Sequence, residues 1–482
     1  MPYRITATHS DIGIESSLKF RNRHQSVDLN AKRIACSGIP LEVKDGNVLI
    51  SNPEHHCFIC GASGMGKSRR LIFPTIDLSA RSGHSLFILD PKAEAYRNTA
   101  NIVRKHGYDV KVINLRTPQC GSRYNPLSLV KKYYDSGFHN KAVAMLNGIS
   151  TVLFAKFKQD RDKYWVATAS DAFVGMALLL LEKKKPLTFR NIHHLVNDFI
   201  RNKSHYDSNY HLTGVSEAYR YLSTIASLVA DTTLTCILSQ FNAALSILAG
   251  SPDICDIMAS SDFDPADFGN RKTALYCIVP DESPATYIVA SLLIEEIYEE
   301  LVYLADSDES NRLKVPMDFI LDEFGSISGT AWTSKLAAAR SRGIRFVIAV
   351  QTLSQLAALY GDYEAQVLLN NCRTWVFLGG KDYPMMNLLS NLGGSIDGKP
   401  VLSISDLNAI TVGKPLILDG PKPYIGTLPD WKEWSNCRKA KITDTLREKI
   451  PQDHISICQL LKRKKHTGEQ YEPHQDQDQL PF

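Results

Sequence analysis

The chain has 482 residues, of which 44% are hydrophobic, so its length and composition predict two or three domains with ample cores. The formal net charge of +4 at pH 7 is mild and permits a nucleic-acid partner without arguing for one. Residues 1–30 contain no apolar core of the kind found in a secretory signal. The longest apolar run, residues 172–181, is far shorter than the roughly 20 residues of a membrane span, so we expect a soluble chain that purifies without detergent.

Short β elements and one strongly apolar strand are predicted near the start of the chain. Residues 41–43 and Asn47–Ile50 alternate in polarity and lead into residues 55–60, an apolar run with the length of a core strand. Cys57 and Cys60 could be read as half of a metal site, but no second pair with ligand spacing follows. Residues three apart in a strand also point to opposite faces, so core packing is the better interpretation of both cysteines.

Residues 61–68 fit the phosphate-binding pattern G-x-x-x-x-G-K-[ST] at every fixed position. The glycines allow backbone N–H groups to curl around phosphates, Lys67 supplies a mobile positive charge, and the Ser68 hydroxyl can ligate Mg²⁺. A strand before the pattern and a helix over residues 68–76 favour a P-loop over an idle glycine turn. The residues expected to bind the nucleotide are Ser63, Gly64, Met65, Gly66, Lys67, Ser68 and Arg69.

Strands and helices then alternate in the rhythm of a parallel sheet. Ser85–Asp90 predicts a buried strand, residues 93–106 a helix, and residues 109–115 another strand. The second strand ends in Asp90 and Pro91, at the carboxyl edge where α/β proteins bind their ligands. Two interpretations stay open: Asp90 lies close to the nucleotide, or it caps a helix that has Pro91 in its first turn.

From about residue 129 to residue 264 the strand-like runs disappear, and apolar residues recur at three- and four-residue spacing. This pattern predicts an all-helical insertion of about 130 residues, long enough to fold as its own domain. Basic and aromatic residues occur together between Lys156 and Trp165, a mixture that could contact nucleic acid, although a solvated helix surface is the simpler alternative. Because the insertion carries no phosphate or metal motif, we assign substrate choice to it.

An acidic motif completes the predicted nucleotide site. Residues 317–321 form a buried strand that ends in Asp322 and Glu323, and two adjacent carboxylates there are costly unless they face a cation or a water molecule. As in a Walker B strand, Asp322 is predicted to hold Mg²⁺ and Glu323 to polarise the attacking water. A strand that ends in a solvated acidic turn is the alternative.

Polar residues also follow the predicted strand Ile344–Val350. Gln351 could sense the terminal phosphate or orient water, or it could be an exposed turn glutamine. Arg340, Arg342 and Arg345 form a dense positive group that we expect near the same carboxyl edge. Many ring ATPases complete the site with an arginine in trans, so Arg340 is predicted to act on the neighbouring subunit. The alternatives are a basic face for DNA phosphates and a solvated helix end.

Taken together, these stretches resemble the type IV secretion coupling proteins, the RecA-like ATPases of conjugative DNA transfer. The resemblance spans residues 61–380, in the order that the family shows. The P-loop alone is generic, whereas the whole set is fairly specific. The matching stretches are residues 61–68, 90–94, 321–324, 339–343 with Gln351 downstream, 371–372 and 377–380.

The resemblance implies an α/β fold, namely a RecA-like P-loop NTPase with a mainly parallel sheet that is interrupted by an all-α domain. It implies ATP and Mg²⁺ as cofactors. The catalytic residues implied are Lys67, Glu323, Arg340 and Gln351, and the metal ligands are Ser68 and Asp322. The predicted domains are β elements at 1–50, the nucleotide-binding domain at 51–128 and 266–436, the all-α domain at 129–265, and a partly disordered tail at 437–482 with a basic cluster at 462–465.

By the same resemblance the active form is a homo-hexameric ring, and its function is ATP-driven delivery of relaxase-bound DNA or a substrate protein to a type IV secretion channel. The expected partners are single- or double-stranded DNA, a relaxase or substrate protein, and a channel or membrane partner protein. Family members typically begin with a transmembrane segment and residues 1–50 contain none, so we expect a cytoplasmic protein that reaches the inner face of the membrane through a partner. Two other functions stay open: a nucleotide-switched receptor that does not pump DNA, and a DNA-pumping ATPase for segregation or packaging.

Overall fold

The computed structural model describes residues 13–157, 163–201, 216–227, 231–328 and 332–434. The predictions for the tail at 437–482, including its basic cluster, lie outside these residues. The strands are β1 Gln25–Asp28, β2 Pro40–Lys44, β3 Asn47–Ile50, β4 His56–Cys60, β5 Ser85–Asp90, β6 Asp109–Asn114, β7 Thr273–Ile278, β8 Met317–Asp322, β9 Ile344–Val350, β10 Cys372–Phe377, β11 Ser395–Ile396, β12 Lys399–Pro400, β13 Leu416–Leu418 and β14 Tyr424–Ile425.

The α-helices are α1 Ser17–Arg23, α2 Phe73–Ser82, α3 Glu94–Lys105, α4 Leu127–Asp135, α5 His139–Leu153, α6 Lys163–Glu182, α7 Phe189–Arg201, α8 Glu217–Ser227, α9 Asp231–Gly250, α10 Pro252–Ile257, α11 Asp267–Asn270, α12 Tyr287–Asp306, α13 Trp332–Ala339, α14 Leu353–Tyr360, α15 Asp362–Asn371, α16 Tyr383–Gly393 and α17 Ile404–Asn408. A π-helical turn covers Ser68–Ile72, and short 3₁₀ turns cover Ala155–Phe157, Pro284–Thr286, Phe324–Ser326, Arg340–Arg342 and Trp431–Glu433.

A nine-stranded sheet forms the centre of the fold, in the order β14-β13-β10-β4-β9-β8-β5-β7-β6. Neighbouring strands from β10 to β6 pair in parallel, while β13 and β14 add antiparallel pairs at one edge. The predicted α/β class with a mainly parallel sheet is therefore confirmed. Strand β5 precedes the helical stretch and pairs with β7 and β8, which follow it. The sheet is thus assembled from two separate parts of the chain.

Strand β4 shows how the sheet lies between two cores. Phe58 and Cys60 belong to the hydrophobic cluster on one face, and Cys57 and Ile59 belong to the cluster on the other. This alternation follows from the two-residue period of a strand. It confirms that Cys57 and Cys60 are core residues on opposite faces. Within the described ranges, no group of three or more His, Cys, Asp or Glu side chains is placed to hold a metal ion.

The N-terminal β elements form a small sheet of their own. Strands β1, β3 and β2 pair antiparallel in that order, which confirms the β elements predicted before the first core strand. The N–H of Val43 donates a hydrogen bond to the carbonyl of Thr427 at 2.8 Å, so this small sheet is joined to the last part of the described chain. Leu41 and Val48 are fully buried in the same cluster as Ile72 of the turn after the P-loop.

Helices α4 to α11 occupy the described chain between β6 and β7, as the three- and four-residue spacing predicts. Their apolar residues join one continuous cluster with Phe58 and its neighbours on the sheet, and α12 packs against α5. The helical part therefore shares its core with the sheet. The bounds of a separate domain at 129–265 stay a prediction.

Two of these helices are longer than the apolar run at 172–181. Helices α6 and α9 have 20 residues each, and both meet a criterion of length and composition for a membrane span. In this fold α6 packs against α8 and α9 and is mostly buried. Because a buried core helix meets the same criterion, the finding is weak evidence for a span.

A buried ion pair connects β8 with β9. The sheet register places Asp318 opposite Arg345, and Arg345 donates from Nε to Oδ1 at 3.0 Å and from Nη2 to Oδ2 at 2.6 Å. Ser37 and Ser79 donate to the same Oδ2 at 3.1 Å and 2.6 Å. Burial raises the pKa of Asp318, but the Arg345 charge and hydrogen bonds from His84 and Ser79 outweigh burial and hold that pKa well below its usual range.

The prediction that Arg345 joins Arg340 and Arg342 in a positive group at the carboxyl edge is wrong. Arg345 is only 2% exposed and is paired inside the sheet. Arg342 donates from Nε to Oδ1 of Asp306 at 2.8 Å. The chain changes from a turn to a strand between these arginines, so residues that are close in sequence enter different surroundings.

Replacing Arg345 should destabilise the fold strongly. We expect Arg345→Met to lower the free energy of unfolding by about 3–5 kcal/mol, because it leaves the Asp318 carboxylate buried without its partner. The matched control is Arg342→Met, which breaks a pair with the half-exposed Asp306 and should cost at most about 1 kcal/mol. Chemical denaturation at pH 7 measures both, and equal losses in the two variants would contradict the assignment.

Candidate functional site

Three neighbouring strands bring the predicted motifs to one edge of the sheet. Strand β9 lies between β4 and β8, and all three are parallel. The P-loop follows β4, Glu323 follows β8 and Gln351 follows β9, so their carboxyl ends meet. A cavity of about 360 Å³ opens at this edge. The predicted site residues that line it are Ser63, Gly64, Gly66, Lys67, Ser68, Arg69, Asp322, Glu323 and Gln351.

Glycines shape the P-loop and its support. Gly64 and Gly66 have φ values of 82° and 88°, a backbone conformation that other residues rarely adopt. The N–H of Ala62 donates to the carbonyl of Gly379 at 3.0 Å, so the segment after β10 supports the loop. A Cβ atom at Gly379 would lie 2.7 Å from Cε of Met65. The side chain of Met65 therefore packs against this support, and the predicted contact of Met65 with the nucleotide stays a prediction.

Ser68 and Asp322 meet where the sequence predicts the Mg²⁺ site. Ser68 Oγ donates to Asp322 Oδ2 at 2.9 Å, and Lys67 Nζ donates to the carbonyl of Gly61 at 2.6 Å. Burial raises the pKa of Asp322, while the Lys67 charge and the Ser68 hydrogen bond lower it. Mg²⁺ prefers hard oxygen ligands and completes its shell with waters and phosphates. A hydroxyl beside a carboxylate fits this ion, and the metal role of both residues stays a prediction.

The carboxylate of Glu323 is held by two glutamine side chains. Gln351 donates from Nε2 to Oε2 at 2.8 Å, and Gln355 donates from Nε2 to Oε1 at 3.4 Å. The backbone of Glu323 is left-handed, with φ 77° and ψ 44°, which is uncommon outside glycine and often occurs at functional sites. The end of β8, the left-handed backbone of Glu323 and the two amide donors together fix this carboxylate at the cavity wall.

Gln355 is a site residue that the sequence analysis missed. Its Oε1 accepts hydrogen bonds from the N–H groups of Gln351 and Thr352, at 3.2 Å and 3.4 Å. Its own N–H donates to Thr352 Oγ1 at 3.3 Å, which completes a capping box at the start of α14. The signal was present in the sequence, because a threonine followed three residues later by glutamine is typical of such a box.

The sequence left two interpretations of Asp90 open, and the structure shows it as a helix cap, although Pro91 lies before α3 and not in its first turn; closeness to the nucleotide stays a prediction. Asp90 is only 3% exposed, and Oδ2 accepts a hydrogen bond from the N–H of Tyr96 at 2.8 Å, in the first turn of α3. It also lines the cavity. Burial raises the pKa of Asp90 to about 6; N–H groups of α3 lower the pKa and the nearby charge of Asp322 raises it.

Arg69 is shared between the cavity and the last described segment. It lines the cavity, and its Nε donates to Asp430 Oδ2 at 2.7 Å while its Nη2 donates to Oδ1. The hydrogen bond from Arg69 lowers the pKa of Asp430 to about 2. The predicted contact between Arg69 and a nucleotide would therefore form beside this ion pair.

The expectation that Arg340 reaches the carboxyl edge is wrong. Arg340 lies in the turn directly before β9, and its Nη2 is 4.0 Å from Oε2 of Glu54, which precedes β4. Residues that precede parallel strands lie at the amino edge, opposite the P-loop. The Arg340 side chain is 59% exposed and can reach another molecule, so its role in trans stays a prediction.

Comparison with known proteins agrees with this geometry. Residues 8–397 match the sequence model of a family described as type IV secretory system conjugative DNA transfer. The chain belongs to this family. Protein VirD4 of Agrobacterium fabrum (strain C58 / ATCC 33970) is 25% identical over 351 residues, which are 70% of this chain and 49% of VirD4. VirD4 of Rhizobium rhizogenes is 24% identical over 350 residues, with the same coverage. The chain thus spans about half the length of both relatives.

Solved structures share the fold. The bacterial conjugative coupling protein TrwBΔN70 has a TM-score of 0.64 at 17% identity, over 88% of this chain and 94% of that chain. Plasmid coupling protein TrwB in complex with ADP and Mg²⁺ also has a TM-score of 0.64 at 17% identity, over 89% and 95% of the two chains. At this identity the likeness supports the fold, a P-loop α/β domain with a helical part.

The buried carboxyl of Asp90 should make stability depend on pH. Its pKa rises from 3.8 to about 6 on folding, so its stabilising contribution is complete below the unfolded pKa and is lost as the pH rises through about 6. Two pKa units correspond to about 3 kcal/mol. Asp90→Asn keeps an oxygen for the Tyr96 N–H but does not titrate.

The free energy of unfolding of Asp90→Asn minus that of the wild type should therefore increase by up to about 3 kcal/mol between pH 4 and pH 7. Denaturation without nucleotide or Mg²⁺ measures it. A flat difference for Asp90→Asn would contradict the shifted pKa.

Proposed function

We propose that this protein is an ATPase of conjugative DNA transfer. It hydrolyses ATP, recruits relaxase-bound DNA or a substrate protein, and delivers this cargo to a type IV secretion channel. The observation that carries the proposal is the cavity in which the P-loop meets the hydrogen-bonded pair Glu323 and Gln351, in a chain that belongs to the conjugative DNA transfer family.

The side chains of the cavity support ATP and Mg²⁺ as its ligands. The P-loop N–H groups and Lys67 are suited to phosphates, and Ser68 and Asp322 would hold Mg²⁺. When bound, the metal neutralises charge that develops on the phosphates. Glu323, oriented by Gln351, would accept a proton from the attacking water. TrwB has been solved with ADP and Mg²⁺ and with the non-hydrolysable ATP analogue ADPNP.

The partners follow from the family. We propose DNA, a relaxase or substrate protein, and a channel or membrane partner protein, with a homo-hexamer as the active assembly at the inner face of the membrane. The helical part would receive the cargo, because the P-loop and acidic motifs lie outside it. Arg340 is exposed at the amino edge and does not line the cavity of its own subunit. Its side chain can therefore contact a neighbouring subunit, as the proposed assembly requires.

Two substitutions test hydrolysis. Lys67→Ala should weaken nucleotide binding, whereas Glu323→Gln should keep binding and lose turnover by roughly two orders of magnitude or more, because it removes the proton acceptor and keeps the shape. Phosphate release and nucleotide titration measure the two effects. Glu309→Gln, which lies outside the cavity and is exposed, is the control. Normal turnover in Glu323→Gln would rule out its assigned role.

The same assay separates the translocase from the receptor. ATP turnover that rises on addition of single- or double-stranded DNA supports a translocase that acts on DNA. Turnover that is indifferent to DNA but responds to a substrate protein supports a nucleotide-switched receptor. A parallel size measurement with and without nucleotide tests the proposed ring.

Mixed subunits test Arg340. Arg340→Ala should bind ATP and be inactive alone, and adding Glu323→Gln subunits should restore part of the turnover, because their intact Arg340 then completes the neighbouring Arg340→Ala sites, which keep Glu323. Arg342→Ala is the control, since Arg342 is bound to Asp306 within its own subunit. This variant should stay active without mixing. Absence of rescue despite confirmed subunit exchange, or loss of DNA binding alone, would favour a DNA-phosphate contact for Arg340.

A further inference from the structure

Tyr287 is a buried residue of the cavity wall whose hydroxyl lacks a partner. It opens helix α12, its side chain is 2% exposed, and it lines the cavity together with Glu323 and Gln351. Within the part of the chain that the structure describes, its hydroxyl oxygen makes no hydrogen bond. The sequence offered no signal for this residue, because a tyrosine at the start of an apolar helix predicts core packing.

A second tyrosine of the same helix shows the usual arrangement. Tyr298 is 4% exposed, and its hydroxyl donates to the carbonyl of Lys335 at 3.1 Å. Buried hydroxyls are normally satisfied in this way, because a hydroxyl taken from water without a new partner costs free energy. Tyr287 lines a polar cavity, and its unsatisfied hydroxyl is shielded from water in this structure, so a small movement of the side chain toward the cavity would let a ligand atom become its partner.

The surroundings of Tyr287 favour a donor role. Burial raises the pKa of Tyr287, and the charges of Glu323, Asp281 and Asp322 raise it further, so the phenol keeps its proton at neutral pH. A protonated phenol supplies a hydrogen bond without adding charge. Such a donor suits a phosphate oxygen whose charge is already balanced by Lys67 and a divalent cation.

The position of Tyr287 favours the terminal phosphate over the inner ones. The P-loop N–H groups surround the inner phosphates in a P-loop site, whereas the water-activating groups lie beside the phosphate that is transferred. Tyr287 shares the cavity wall with Glu323 and Gln351, the two residues assigned to water activation. Of the surrounding charges, that of Glu323 raises the pKa of Tyr287 most, so the hydroxyl is assigned to the end of the cavity where the terminal phosphate would lie.

We propose that the Tyr287 hydroxyl donates a hydrogen bond to the terminal phosphate of a bound nucleoside triphosphate and makes the site prefer triphosphate over diphosphate. This inference rests on the proposed function, since it takes the cavity as a nucleotide site. It assigns a specificity-determining contact to a residue outside the P-loop and the acidic strand.

The test is Tyr287→Phe in the full chain, which removes only the hydroxyl. Affinities for ADPNP and for ADP, both with Mg²⁺, are measured by titration. The affinity for ADPNP should fall about tenfold, as for a hydrogen bond to a charged group, while the affinity for ADP should change by less than about twofold. The matched control is Tyr298→Phe, a buried tyrosine of the same helix outside the cavity, which should leave the affinity ratio unchanged.

Thermal unfolding of the nucleotide-free protein gives an independent readout. Tyr287→Phe should keep or raise the melting temperature, because the hydroxyl has no bond to lose, whereas Tyr298→Phe should lower it. An unchanged affinity ratio, an equal loss for both nucleotides, or a lower melting temperature of Tyr287→Phe would overturn the inference. Failure of the wild type to bind either nucleotide would instead overturn the proposed function, and the inference with it.

Discussion

The pairing of β4 with β9 and of β9 with β8 is the constraint on which the site depends. In the register, Cys60 lies opposite Val350, and Asp322 lies opposite Ala349. The P-loop, Gln351 and Glu323 therefore follow their strands at nearly the same level along the strand direction, although they are far apart in the sequence. The buried ion pair of Asp318 and Arg345 joins β8 and β9 near their amino ends, so it stabilises the register in which Glu323 and Gln351 form their hydrogen bond.

The sequence predicted the parts of the site that have local patterns. The P-loop spacing, the apolar strands and the carboxylates after β8 were enough to place Lys67 and Asp322 at one edge. Arg340 was misplaced, because its distance from Gln351 in the sequence is short while a whole strand separates the two edges of the sheet. Tyr287 could not be found, since its importance lies in a missing hydrogen bond, and only three-dimensional packing shows that.

The helical part is attached to the sheet domain by more than a shared apolar core. Lys141 of α5 places Nζ 3.5 Å from the ring centre of Tyr133 and 3.0 Å from that of Tyr303. The same Nζ lies 3.6 Å from Oε2 of Glu300, which accepts a hydrogen bond from Tyr133 at 2.5 Å. Burial lowers the pKa of Lys141, to about 8. An ammonium between two aromatic rings and a carboxylate is a directional contact, so it fixes the orientation of α5 on α12 as well as their distance.

Helix α12 runs without interruption from Tyr287 to Asp306. A helix of 20 residues is a rod about 30 Å long. Its first residue lies in the cavity wall, and its later turns carry Glu300 and Tyr303, which hold Lys141 of the helical part. A tilt of only about 4° around the first turn would displace the last turn by about 2 Å, which is the size of the helix shifts seen in allosteric proteins. The two ends of α12 therefore lie at the cavity and at the helical part, so a small tilt of this helix would couple the two.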